Sequence, residues 1–223
     1  MKRTKLSERL LPDYTKGEDI MNMVTHIVGG SFGILVLILC TVKGILHGTL
    51  PDIIGAAVYG VCMVTLYTMS SIYHGLHPGT GKKVMQVMDH CTIYWLIAGT
   101  YTPILISGIL PVYPIMGWCL LALQWGLGIT ATVLTAIDLK KYKVFSMICY
   151  IFMGWSIVFF LPKALSALGK PCFLLILWGG IAYTVGAVLF GIGAKVHWIH
   201  GVFHIFVVIG SLLQFLGIYL YIL

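Results

Sequence analysis

The sequence predicts an all-α integral membrane protein: one bundle of seven transmembrane helices, N-terminus inside and C-terminus outside. Three observations carry that prediction. Of the 223 residues, 59% are hydrophobic and only 9% charged, far from the balance of a soluble domain. The apolar residues gather into seven runs, each close to or above the roughly 20 residues that a hydrocarbon core requires. The positive charges fall mostly on alternate links between those runs. An excess of 14 Lys and Arg over 7 Asp and Glu would suggest a nucleic-acid partner in a soluble protein. Placed at the ends of spans, the same charges report membrane orientation, and no nucleic-acid partner is expected.

Taken in order, residues 1–20 read as a short polar cytoplasmic tail and 21–223 as a single membrane domain. The spans are about 21–46, 53–74, 84–108, 113–136, 144–162, 172–194 and 197–222, the fifth being the shortest. The first run is too long for a cleaved secretion signal and lacks a small-residue cleavage site. Short links rich in Pro, Gly and Lys join the spans, as in Lys140-Lys141-Tyr142-Lys143. With the N-terminus inside, the inner face collects Lys2, Arg3, Lys5, Arg9, Lys16, Lys82, Lys83, Lys140, Lys141, Lys143 and Lys195. The outer face collects Lys43, Lys163 and Lys170, so the count is eleven against three. Pro103 predicts a kink in the third span. Gly29, Gly33, Gly179, Gly180, Gly186, Gly191 and Gly193 predict close helix approach. The six cysteines sit in apolar runs with no Cys-x-x-Cys, as small buried hydrophobes do.

The chemistry gathers at the inner ends of four spans. His200 and His204 are one helical turn apart on one face, a spacing that lets two imidazoles take two corners of a tetrahedral metal, most often zinc. Histidines that only hydrogen-bond to neighbouring helices would show the same spacing. The second span runs outside to inside and ends in Ser70-Ser71-Ile72-Tyr73-His74, with Ser70 and His74 again four apart. The third has Asp89-His90 about one turn in, and the first has Asn22, Thr25 and His26 near its start. Four separate spans therefore place polar groups at similar depth, which unrelated structural histidines have no reason to do. Asp89 is the only acidic residue inside the seven runs, and a carboxylate there needs a partner or a metal.

His74, His200 and His204 thus fit a zinc ion that keeps one position open for water. Zinc lowers the pKa of such a water to about 7. In this reading Asp89 orients the water as general base, and Ser70 holds it or a polarised carbonyl oxygen. Ser70, His74 and Asp89 can also be read as a serine-hydrolase triad, which leaves His200 and His204 without a role. His26 and His90 remain open as further ligands, although His90 projects about 100° away from Asp89 on an ideal helix.

Several stretches together resemble the bacterial haemolysin III branch of the progestin and adipoQ receptor family. They are Glu18-x-x-x-Asn22-x-x-Thr25-His26, Ser70-Ser71-Ile72-Tyr73-His74, Asp89-His90-Cys91-Thr92 continuing to Thr102-Pro103, and His200-x-x-x-His204. The resemblance spans essentially the whole chain. It implies seven spans, an inside N-terminus and a multi-pass place in the bacterial plasma membrane. It also implies zinc on His74, His200 and His204, with Ser70 and Asp89 around the zinc-bound water. A membrane lipid is the implied ligand or substrate, while the oligomeric state is left open. Three functions follow as expectations: zinc-dependent, ceramidase-like hydrolysis of a lipid amide or ester in lipid homeostasis, lipid sensing with structural or regulatory zinc, and pore-forming haemolysis. Seven constitutive spans argue against the third. Intramembrane ionisable groups also suit a transporter.

Overall fold

The structure, a computed structural model, describes residues 4–193 and 196–223. Lys2, Arg3 and Lys195 of the orientation count, and the end of the sixth predicted run, lie outside the described residues. The helices are α1 (Lys16–His47), α2 (Leu50–Gly75), α3 (Thr80–Pro103), α4 (Pro114–Ile137), α5 (Lys143–Trp155), α6 (Leu161–Leu168), α7 (Lys170–Gly193) and α8 (Ile199–Tyr221). Among the described residues there is no strand, and seven spans are long and apolar enough to cross a membrane. The fifth of these joins α5 to α6 through a tight 3-10 turn at Ser156–Phe160 and runs to Leu168, beyond the predicted residue 162.

Helix α1 starts earlier than the apolar run because Thr15 and Glu18 form a reciprocal cap. Thr15 Oγ1 accepts from Glu18 N at 3.2 Å, and Glu18 Oε2 accepts from Thr15 N at 2.8 Å. Glu18 and Asp19 therefore join Asp89 as acidic groups within a spanning helix. In α3, Pro103 lacks the N–H that would continue the ladder. The helix widens there into a π-type stretch over Ile104–Ile109, with Leu110 N donating to Leu105 O, five residues back, at 2.8 Å. The disturbance expected at Pro103 takes this form.

Helices α1 to α4 pack in sequence, α7 packs on α8, and α8 returns to α1. Val36, Tyr59, Met63, Leu105, Cys172 and Ile218 are among the side chains of the main core. Residues such as Ile115, Val144 and Phe159 stay exposed on the outside, where hydrocarbon rather than water is the fitting solvent. The cysteines are free, all but Cys119 buried. A Cβ at Gly29 would stand 2.6 Å from the Tyr67 ring, so only glycine lets α1 and α2 approach this closely there. A Cβ at Gly180 or Gly191 would meet nothing within 4 Å, so these two are not close-approach positions.

The first turns of α1, α3 and α8 meet the last turn of α2 at one end of the bundle. The charge count assigns that end to the inner face. Residues 4–15 run beneath it: Thr4 N donates to Asp138 Oδ2 at 2.7 Å, and Lys83 Nζ donates to Ser7 O at 2.8 Å. At the opposite end Lys43 Nζ donates to Tyr219 O and ties α1 to α8.

Candidate metal centre

His74 at the end of α2 and His200 and His204 in the first turns of α8 converge in the buried interior. One ligand atom of each lies within 4.8 Å of the other two, so the triad could hold a metal ion. Their hydrogen bonds orient them for it. His74 Nδ1–H donates to Asp19 Oδ1 at 3.1 Å, and Lys82 Nζ donates to the other oxygen of Asp19. His204 Nδ1–H donates to Asn22 O at 3.1 Å, with Thr25 Oγ1 at 3.3 Å. Those contacts leave Nε2 of both rings for a ligand. Nε2 of His74, and that of His200, are buried without a hydrogen-bond partner among the described residues. A bare buried acceptor is unfavourable, whereas zinc–imidazole bonds of about 2.0–2.1 Å would satisfy it after small ring rotations. The residues present fit such an ion.

In the sequence Asp19 reads as part of a polar tail, and nothing there marks it as a partner of the site. A carboxylate on the far nitrogen of a ligand histidine sets its tautomer and raises its basicity. Glu18, buried beside it, accepts from Trp198 N at 2.6 Å, His197 Nδ1 at 2.9 Å, and Thr15 N and Oγ1. Trp198 holds φ 67°, a left-handed conformation rarely adopted by a bulky side chain. Glu18 thus grips the strained residue that starts α8, two residues before His200. Gly193 serves the same corner, because a Cβ there would stand 2.9 Å from His200 N. Tyr14 closes the site from below, stacked on His200 at 5.1 Å between ring centroids. Burial, then the carboxylates of Asp89, Asp19 and Glu18, hold its phenol above the ordinary value.

His197 titrates at this latch. Its hydrogen bond to Glu18 favours the imidazolium and raises its pKa. The contribution is therefore complete below the unfolded value of about 6.5 and is lost as pH rises through the higher folded one. Thermal melts in detergent between about pH 6 and pH 9 should show a loss of stability over that rise in wild type. His197→Gln should lack this component; an unchanged profile in the variant would discount the latch.

Ser70 is fully buried and its Oγ has no partner among the described residues. Asp89 is partly buried, and its carboxylate comes to 3.6 Å of His90 Nδ1, which itself donates to Gln86 O at 2.8 Å. Ideal helix geometry turns His90 away from Asp89, yet the two side chains reach each other across the 100° between their positions. No triad forms from Ser70, His74 and Asp89, since His74 has Asp19 as its carboxylate. His26, also buried, stacks on His204 at 3.6 Å, and both of its nitrogens lack partners. Ser70, Asp89, His26, His90, His200 and His204 all line one cavity of about 150 Å³. Most of its remaining wall is apolar, from Ile93, Leu96, Met147, Phe173, Leu177 and Val207 among others.

These features define a class: a multi-pass membrane bundle with a buried three-histidine site opening onto an apolar cavity. A family profile described as "Haemolysin-III related" matches residues 14–215. The chain belongs to the haemolysin-III-related family. It is 36% identical to Hemolysin-3 of Bacillus cereus over 206 residues, 92% of each chain. It is 31% identical to the Hemolysin-3 homolog of Bacillus subtilis over 208 residues, 93% of this chain and 96% of that one. A more distant relative, the human Monocyte to macrophage differentiation factor, is 25% identical over 174 residues, 75% of this chain and 70% of its own.

Proposed function

We propose that this chain is a zinc-dependent hydrolase of a membrane lipid amide or ester, serving lipid homeostasis. The observation that carries the proposal is the meeting, in one cavity, of two histidines of the triad (His200 and His204), a carboxylate, an unpartnered hydroxyl and a long apolar wall. Zinc, when held by His74, His200 and His204, supplies a Lewis acid and an acidified water. The apolar wall binds the acyl chain and keeps bulk water away from the scissile carbonyl. Asp89 takes a proton from the attacking water. Ser70 Oγ donates to the carbonyl oxygen as charge develops there. A second reading, lipid sensing with non-catalytic zinc, draws on the same cavity, which would seat a lipid whether or not the ion takes part in chemistry.

The test is fatty-acid release from lipid amides and esters by purified protein. Wild type should turn over, and Asp89→Asn should be slower by about 10²–10⁴-fold, the usual contribution of a general base. His74→Ala should be inactive. Turnover retained in both variants would sink the catalytic reading, and zinc-loaded wild type that releases no fatty acid would favour sensing.

A further inference from the structure

We infer that the far end of the cavity is a second polar subsite, centred on Gln214, that takes the hydroxyl of a hydroxylated acyl chain. The inference rests on the lipid reading above and narrows its substrate class. The cavity face of α8 carries His200 and His204 first, then Val207, then Gln214. At 1.5 Å per residue, Gln214 stands roughly 15 Å beyond His204. The cavity face of α3 repeats the order, with Asp89 and His90, then Ile93, Leu96 and Ile97, then Thr100. Thr100 stands roughly 16 Å beyond Asp89. Both helices run in the same direction, so along these two faces the order is polar at the metal end, apolar in the middle and polar again at the far end, while Tyr150, Tyr183 and Thr184 reach the cavity from other helices.

Thr100 at the far end, and Thr184 nearer the middle, give their hydroxyl protons to the backbone oxygens of Leu96 and Gly180. Gln214 is different. Its Nε2 donates to Ile176 O at 3.0 Å, while its Oε1 is buried with no partner among the described residues. The amide sits in a notch left by glycine: a Cβ at Gly179 would stand 2.9 Å from Gln214 Cγ. A purely apolar ligand would need only apolar residues at this depth. Here a held amide at the cavity wall keeps an unfilled, buried acceptor, which a ligand hydroxyl can pair once the side chain turns toward it and a plain alkyl chain cannot. Sites of this kind discriminate against the analogue that leaves their polar group unpaired. Gln124 also has an unpartnered Oε1 but does not border the cavity, so it supports no such subsite.

Trp155 lines the cavity and donates through Nε1 to Thr184, so occupancy is read as the part of the fluorescence change that a Trp155→Phe protein lacks, the chain having six tryptophans. The experiment titrates detergent-solubilised full-length protein with saturated fatty acids and their ω-hydroxy counterparts over a graded series of chain lengths. Wild type should bind the hydroxylated acid about tenfold more tightly at the matching length, and Gln214→Leu should bind the two alike. Gln214→Met serves as second variant should the first not fold, with unchanged melting temperature and zinc content as the folding check. No preference in wild type, or a preference that survives both substitutions, overturns the subsite and leaves the hydrolase reading standing. Binding of neither acid by wild type overturns the subsite and the lipid cavity together.

Discussion

Protein purified without a histidine tag should carry about one zinc per chain, and the double variant His200→Ala/His204→Ala should carry none. The expectation follows from the geometry: two of the three rings that come within 4.8 Å of one another are removed, and His74 alone cannot hold the ion. Asp19→Asn should give the graded result. It keeps all three rings but removes the charge from the partner of His74 Nδ1, so affinity should fall by about 10–100-fold. Metal content by mass spectrometry and competition with a chelator read both effects. Because metal binding and folding are linked, loss of zinc should also lower the melting temperature. Wild type free of zinc after careful handling, or zinc retained in the double variant, would remove the metal and leave these histidines as packing or proton-relay groups.

Glu18→Ala should be the most destabilising single change outside the ligand set. It deletes an acceptor shared by Trp198 N, His197, and the backbone and hydroxyl of Thr15. Charge-assisted hydrogen bonds contribute about 1.5–3 kcal/mol each, so the loss should be on the order of 3 kcal/mol or more. The strained φ of Trp198 would then have nothing to hold it, and the first turn of α8, with His200, should loosen. Glu18→Gln keeps an oxygen for Trp198 N without the charge and should fall between. Thermal unfolding and zinc content measured on the same samples test this. A Glu18→Ala protein with wild-type stability and full zinc would show that α8 is positioned by packing alone.

The family's class, the span count and the convergence of polar groups at one end were legible in the sequence for local reasons. Hydropathy over about 20 residues identifies a span whatever surrounds it. A spacing of four places His200 with His204, or Ser70 with His74, on one helix face. Alternation of charged links could be read in the same way, as an orientation for the bundle. The outer shell was not legible. Asp19 and Glu18 read as part of the polar tail, Glu18 opening one of the stretches that carry the family resemblance, and nothing near them in the chain shows their distant partners. Asp19 meets His74, 55 residues away, and Glu18 meets His197 and Trp198, about 180 away. Those pairings depend on where α1, α2 and α8 cross and on how each is rotated about its axis.

Asp89 shows the same division from the other side. Its cost as a buried carboxylate could be argued from hydropathy alone, but its partner could not. Helix geometry turns His90 away from it, whereas flexible side chains bring Nδ1 to 3.6 Å of its carboxylate. The sequence by itself determined the membrane class, the seven spans, and the histidines and serine that face inward at one depth, because each of these is a property of one segment. Only the tertiary structure decided which carboxylate orients which imidazole, that residues 4–15 fold beneath the site, and that an apolar cavity runs from the histidines to Gln214. Cavities and cross-helix hydrogen bonds are set by distances between helices, and no segment contains that distance on its own.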